Sequence, residues 1–101
     1  LMIVPRLLPE VRAGYKLHTI RWREPDIVPG LMLYVNTQDA SDTVQVVVTS
    51  VETMKLSDVA DRMGQSHEWP DRVLLQGMRE HYPAIEMDSE VEVIYHLPPD
   101  V

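Results

Sequence analysis

Lys16, Thr19 and Arg21 stand close together in the run Gly14-Tyr15-Lys16-Leu17-His18-Thr19-Ile20-Arg21, which combines a backbone breaker, two cations, a hydroxyl and a titratable ring. Residues of these types make a ligand-binding corner. A lysine whose pKa is lowered by neighbouring cations, here Arg12 and Arg21, can act as a base toward a hydroxyl. Thr19 is the nearest hydroxyl in sequence. In a regular strand, positions 16 and 19 point to opposite faces, so the pair meets only if Lys16 lies in a turn or a bulge. The plainer alternative is a solvated lysine beside a strand threonine.

Glu68 is the second candidate. It lies between His67 and Trp69 in a polar stretch, and loops on rigid scaffolds are where sites gather. Equally, an acid there can serve the N-terminus of the helix that follows. Trp22 and Trp69 offer flat surfaces on which a planar base can stack, or simply pack. His18, His67, His81 and His96 show no ligand spacing within any element, so a metal site would need long-range convergence. There is no phosphate-cradling glycine loop, G-x-S-x-G elbow or H-E-x-x-H. No cofactor is called for.

These residues need elements to position them. A chain of 101 residues has room for a single domain, residues 1–101, with one core. Met2-Ile3-Val4 reads as a strand end. Pro9 opens a short helix to Ala13, and Gly14 closes it. Leu17 to Trp22 reads as a strand, and Glu24 to Gly30 as a loop punctuated by Pro25 and Pro29-Gly30. Leu31 to Val35 is a second strand, followed by a polar connection from Asn36 to Thr43. Val44 to Val51, rich in β-branched residues, reads as a strand buried on both faces. Ser57 looks like the N-cap of a helix with Leu56, Val59, Ala60 and Met63 on one face, ended by Gly64. A longer helix is expected from Pro70 to Tyr82, with Leu74, Leu75, Met78 and Tyr82 as its stripe. In the last strand, Val91, Val93, Tyr95 and Leu97 alternate against Glu90, Glu92 and His96. About five strands and three helices predict an α+β chain, a small mixed-sheet β-barrel or half-barrel with flanking helices.

Composition excludes some functions. With no cysteine, there is no disulfide and no thiolate chemistry. The net charge of −7 argues against long duplex DNA, which a basic face normally binds. The charge is uneven: five cations face two anions up to Glu24, and four face fourteen beyond it. A basic corner on an acidic body suits a small anionic or polar ligand. No apolar run approaches membrane-spanning length and no signal-peptide pattern precedes the first polar residues, so a cytoplasmic protein is the expectation. The first residue is Leu1, which leaves a preceding targeting segment open.

The Gly14–Arg21 run matches the pattern G-x-K-x-x-T-x-R. Placed after a short helix near the N-terminus, it resembles the signature of ASCH domains. The likeness extends more loosely along the chain, through the Pro-Gly turn before a strand, the β-branched strand, the two helices, the Tyr82-Pro83 helix end and the final strand. ASCH domains are similar in fold to PUA domains, small pseudo-barrels tied to RNA binding. The resemblance implies a cleft for a nucleoside or an RNA segment, lined by Lys16, Thr19 and Arg21. One branch of the family hydrolyses the acetyl amide of acetylcytidine with a Lys, a Thr and a Glu. Lys16 and Thr19 match that branch, and Glu68 is the nearest candidate for the acid. In such a mechanism Lys16 takes a proton from Thr19 or holds a water, Glu68 shuttles one to the leaving amine, and Arg21 or backbone N–H groups hold the oxyanion. A non-catalytic RNA-binding or ligand-sensing module is the alternative expectation. A ribonuclease reading also exists in the family, but the sequence shows no histidine pair placed to support it.

Overall fold

Proline and glycine punctuation sets the N-terminal path in the computed structural model, which describes residues 1–24 and 27–99. Strand β1 (Met2–Ile3) runs into a 3-10 turn (Pro5–Leu7) and helix α1 (Leu8–Arg12). Pro9 sits in the first turn of α1, where a missing N–H costs nothing. Gly14 closes the helix at φ +80°, a backbone conformation that suits glycine. Strand β2 (His18–Arg21) follows, then β3 (Gly30–Asn36), β4 (Asp39–Lys55), α2 (Leu56–Arg62), α3 (Asp71–Arg79) and β5 (Glu90–His96). Pro25, within the expected Glu24–Gly30 loop, lies outside the described residues.

The strands form one mixed sheet in the order β1-β3-β4-β5-β2. β1 runs parallel to β3, and β3 antiparallel to β4 with Tyr34 opposite Val44 and Met32 opposite Val46. The described residues therefore hold the five strands and three α-helices of the expected PUA-like α+β fold. None of those helices is long and apolar enough to cross a membrane.

The chain packs as two compact units. The first comprises Leu1–Thr19, Asp26–Val51 and Ile94–Val101. Its core joins Leu8 and Val11 of α1 to Met32 and Tyr34 of β3, Val44, Val46 and Val48 of β4, and Ile94 of β5. The second comprises Ile20–Pro25 and Glu52–Val93, with α2 in contact with α3. It buries Leu56, Val59, Ala60, Leu74, Met78, Ile85, Val91 and Val93.

Several expected details give way to tertiary structure. The polar connection from Asn36 to Thr43 shrinks to a turn at Thr37 and Gln38, because the Asn36 side chain accepts the Gln38 N–H at 2.8 Å and turns the backbone locally. β4 is correspondingly longer than Val44–Val51 and carries its polar residues outward. It is buried on one face only: Val44, Val46 and Val48 point inward, while Val47 is 41% exposed. Ser57 is not the N-cap of α2. The helix begins two residues earlier than that cap implies, at Leu56, and Lys55 occupies the cap with no side-chain hydrogen bond. α3 spans Asp71–Arg79, so Tyr82 lies three residues past its end, although its N–H still donates to the Met78 carbonyl at 2.9 Å. β5 changes phase where Val93 and Ile94 are both buried, which turns His96 inward and Tyr95 toward the other face.

Candidate functional site

The Lys16 corner belongs to the first unit. Beyond Gly14 the chain folds back on α1, and the Glu10 carbonyl accepts the N–H groups of both Tyr15 and Lys16. Lys16 is thereby held ahead of β2, outside the strand. Its Nζ donates to the His18 carbonyl oxygen at 2.7 Å. Thr19, the first fully inward residue of β2, is 3% exposed.

A buried polar chain, unforeseen in the sequence, lies in the same unit. Tyr34, with no exposed surface, places its hydroxyl 2.8 Å from His96 Nε2, and His96 Nδ1 lies 3.0 Å from the Leu97 carbonyl oxygen. A carbonyl only accepts, so Nδ1 carries the proton and Nε2 accepts from Tyr34. The rings meet edge-on at 5.4 Å. Burial, then the charges of Lys16 and His96, pull the His18 imidazole down to about 4. Burial also lowers His96, opposed by its hydrogen bond to Leu97 and reinforced by Lys16. Both rings are neutral at pH 7. The structure thus brings His18 and His96 within electrostatic reach, a histidine pair that their separation in sequence conceals.

The second unit holds a cleft of ≈ 330 Å³ lined by Trp22, Arg23, Glu24, His81, Tyr82, Pro83 and Ala84. The chain past Arg21 supplies one wall, and the segment beyond α3 supplies the other. The Trp22 and Tyr82 rings meet edge-on with centroids 6.0 Å apart, and the Arg23 guanidinium carbon lies 4.3 Å from the Trp22 ring centroid. Tyr82 donates its hydroxyl to Glu24 Oε1 at 2.9 Å. Burial and that bond push the Tyr82 phenol up, against the nearby Arg21 charge, so it remains a donor. Arg23 adopts φ +56°, the one non-glycine left-handed residue among those described, and such strained positions cluster at ligand-binding sites.

Of the residues singled out in the sequence, Lys16 and Thr19 fall in the first unit, and Arg21, Trp22, Glu68 and Trp69 in the second. Trp22 lines the cleft, and Arg21 acts on Tyr82 electrostatically. Glu68 is exposed in the loop between α2 and α3, and Trp69 is half-buried with its N–H on the Gln65 carbonyl. Neither lines the cleft. Arg23, like Arg21, is a cation that the RNA-binding expectation draws on; sequence reasoning missed Glu24 and His81 as lining residues, and placed Tyr82 on a helix stripe. The only sequence signal for them was the Trp22–Glu24 composition, an aromatic ring followed by both charges. Among the described residues no group of three or more His, Asp or Glu is arranged to hold a metal.

No family model and no curated protein matches the sequence. Two solved structures match the fold. They are crystal structures of ZmASCH from Zymomonas mobilis, one a serine-to-alanine and one a tyrosine-to-phenylalanine mutant. Each superposes with a TM-score of 0.70 at 12% identity, over 98% of this chain and 68% or 69% of the other. The chain therefore has the fold of an ASCH protein.

Proposed function

We propose that this ASCH-type chain seats a nucleobase, of a free nucleoside or of single-stranded RNA, in the cleft of Trp22, Arg23 and Tyr82. The observation that carries the reading is a cation stacked on an aromatic ring, with a second ring beside it, at a concave surface. Bases stack on aromatic rings and on guanidinium planes alike, at about 1–3 kcal/mol per base. A cleft of this size lies at the low end of the usual ligand range, about 300–1,000 Å³, and suits one ring system. The net charge of −7 disfavours extended duplex binding, which draws on a long basic face.

Tryptophan fluorescence during titration with nucleoside 5′-monophosphates, and with a short single-stranded RNA, tests this reading. Replacing Trp22 by alanine should weaken binding about 5- to 150-fold, the span of one lost stacking contact. Replacing Trp69 should leave affinity unchanged. Binding that depends on Trp69 and not on Trp22, or no binding by any of these ligands at low salt, refutes it.

A second reading, hydrolysis of an acylated nucleoside, is favoured by one observation: Lys16 lies outside the strand, directly ahead of β2, which carries Thr19. Lys16 in its deprotonated form would take the Thr19 proton as the oxygen attacks the acetyl carbonyl, the lysinium would return that proton to the exocyclic amine as the C–N bond breaks, and water would then hydrolyse the acyl-threonine ester to acetate and free Thr19. Acetylcytidine turnover, followed by its ultraviolet shift, should disappear in Lys16→Ala with the fold intact. Full activity in that variant ends this reading.

A further inference from the structure

We infer that the base this cleft prefers is guanine, recognised through the Glu24 carboxylate. The inference rests on the nucleobase reading above and adds its specificity.

Glu24 is the anionic group in the lining of the cleft, and it is half-buried. The Tyr82 hydroxyl holds it by donating to Oε1 at 2.9 Å. Tyr82 is itself fixed edge-on against Trp22 and beside His81. The carboxylate is therefore oriented before a ligand arrives, and its acceptor capacity is only partly used. An ionised carboxylate has two oxygens and about four lone-pair sites, and it offers no donor. Tyr82 takes one of those sites, so both oxygens retain acceptor capacity for a ligand in the cleft.

An acceptor-only group sorts the bases by their edges. On its Watson–Crick edge guanine presents two adjacent donors, N1–H and the N2 amine, which can meet both oxygens of one carboxylate in parallel. Adenine and cytosine each present one amine next to an unprotonated ring nitrogen. The second carboxylate oxygen would then face a lone pair, and that juxtaposition is repulsive. Uracil presents a single N–H flanked by two carbonyls. Guanine is thus the one standard base whose edge matches the carboxylate at both oxygens. Bidentate, charge-assisted hydrogen bonds are stronger and more selective than single neutral ones. A site that commits a buried polar group to a partner also rejects analogues that lack it.

Isothermal titration of the whole chain with GMP, IMP, AMP, CMP and UMP tests the inference, since the shared phosphate makes differences report the base. GMP should bind about 10- to 100-fold more tightly than AMP, CMP or UMP, the ratio expected for a charge-assisted pair. IMP keeps N1–H but lacks the N2 amine, so it should fall between GMP and AMP. This comparison uses the unaltered protein and does not depend on a variant folding. Glu24→Gln, checked for its fold by circular dichroism, should bring GMP and AMP within about threefold of each other, because an amide presents a donor where guanine needs an acceptor. Equal affinities for all five ligands, with binding still dependent on Trp22, overturn the guanine preference and leave the nucleobase reading standing. A preference for AMP, CMP or UMP has the same effect. Failure of every ligand to bind overturns both.

Discussion

The two depressed histidines make the first unit sensitive to mild acid, and the effect can be sized for His18. Its imidazole falls from 6.5 to about 4 on folding, with burial as the first cause and the Lys16 and His96 charges behind it. The folded state therefore resists a proton that the unfolded chain accepts. Above pH 6.5 both states are neutral and the stability is fully present. As pH falls from 6.5 toward about 4, the unfolded chain binds the proton first and stability is lost; below about 4 the loss is complete. At 1.36 kcal/mol for each tenfold change in proton affinity, the full penalty would be about 3.4 kcal/mol. Water still reaches part of the ring and screens it, which brings the figure to about 2 kcal/mol, with about half of that lost by pH 5. His96 is lowered too and adds loss in the same direction, starting from the same upper limit. Urea unfolding at intervals from pH 7 to pH 5 reads the effect above the range where ordinary carboxylates titrate. The slope of unfolding free energy against pH should be flatter in His18→Gln than in the wild type by close to the uptake of one proton. A wild-type stability constant from pH 7 to pH 5, or equal slopes in the two proteins, would refute the account of His18 as a buried neutral ring.

Other outcomes follow from single contacts. Tyr34→Phe leaves His96 Nε2 buried without its donor and should cost about 1–3 kcal/mol by urea denaturation. Gly14→Ala puts a β-carbon at φ +80° and 3.4 Å from the Pro98 side chain. It should lower stability by about 1–2 kcal/mol, seen as a reduced melting temperature. Arg62 forks onto Glu52 at 3.0 and 3.1 Å on the surface, so Arg62→Ala should cost under about 1 kcal/mol, and less as salt is added.

How much of this could be read from the chain depends on where each feature stores its information. Elements written in local chemistry were legible. Pro9 and Gly14 bracket α1, Gly64 follows α2 at φ +70°, and the β-branched run falls within β4. Details set by pairing were not. The stretch Asn36 to Thr43 has the composition of a loop, yet most of it becomes strand: Asn36 turns the chain within two residues, Asp39 pairs with Asn36 and Thr43 with Val35, and the residues between them form an irregularity in the register. Val47 is as apolar as Val46, and composition alone cannot show that only one face of β4 is covered.

The candidate sites divide in the same way. Lys16 and Thr19 share a motif, and the Glu10 carbonyl that holds the Lys16 backbone ahead of β2 lies just upstream, so this placement is encoded in a few residues. The cleft is different. Glu24 and Tyr82 are 58 positions apart, and their hydrogen bond depends on how the segment after α3 returns to the segment after β2. Tyr82 looked like part of a helical stripe because its spacing from Leu75 and Met78 fits one. α3 ends at Arg79, yet the Tyr82 N–H still donates to the Met78 carbonyl at 2.9 Å, so a helix-like turn persists as far as Tyr82. What spacing along α3 does not encode is the partner: the hydroxyl meets Glu24 only because two distant segments return to each other in the folded chain.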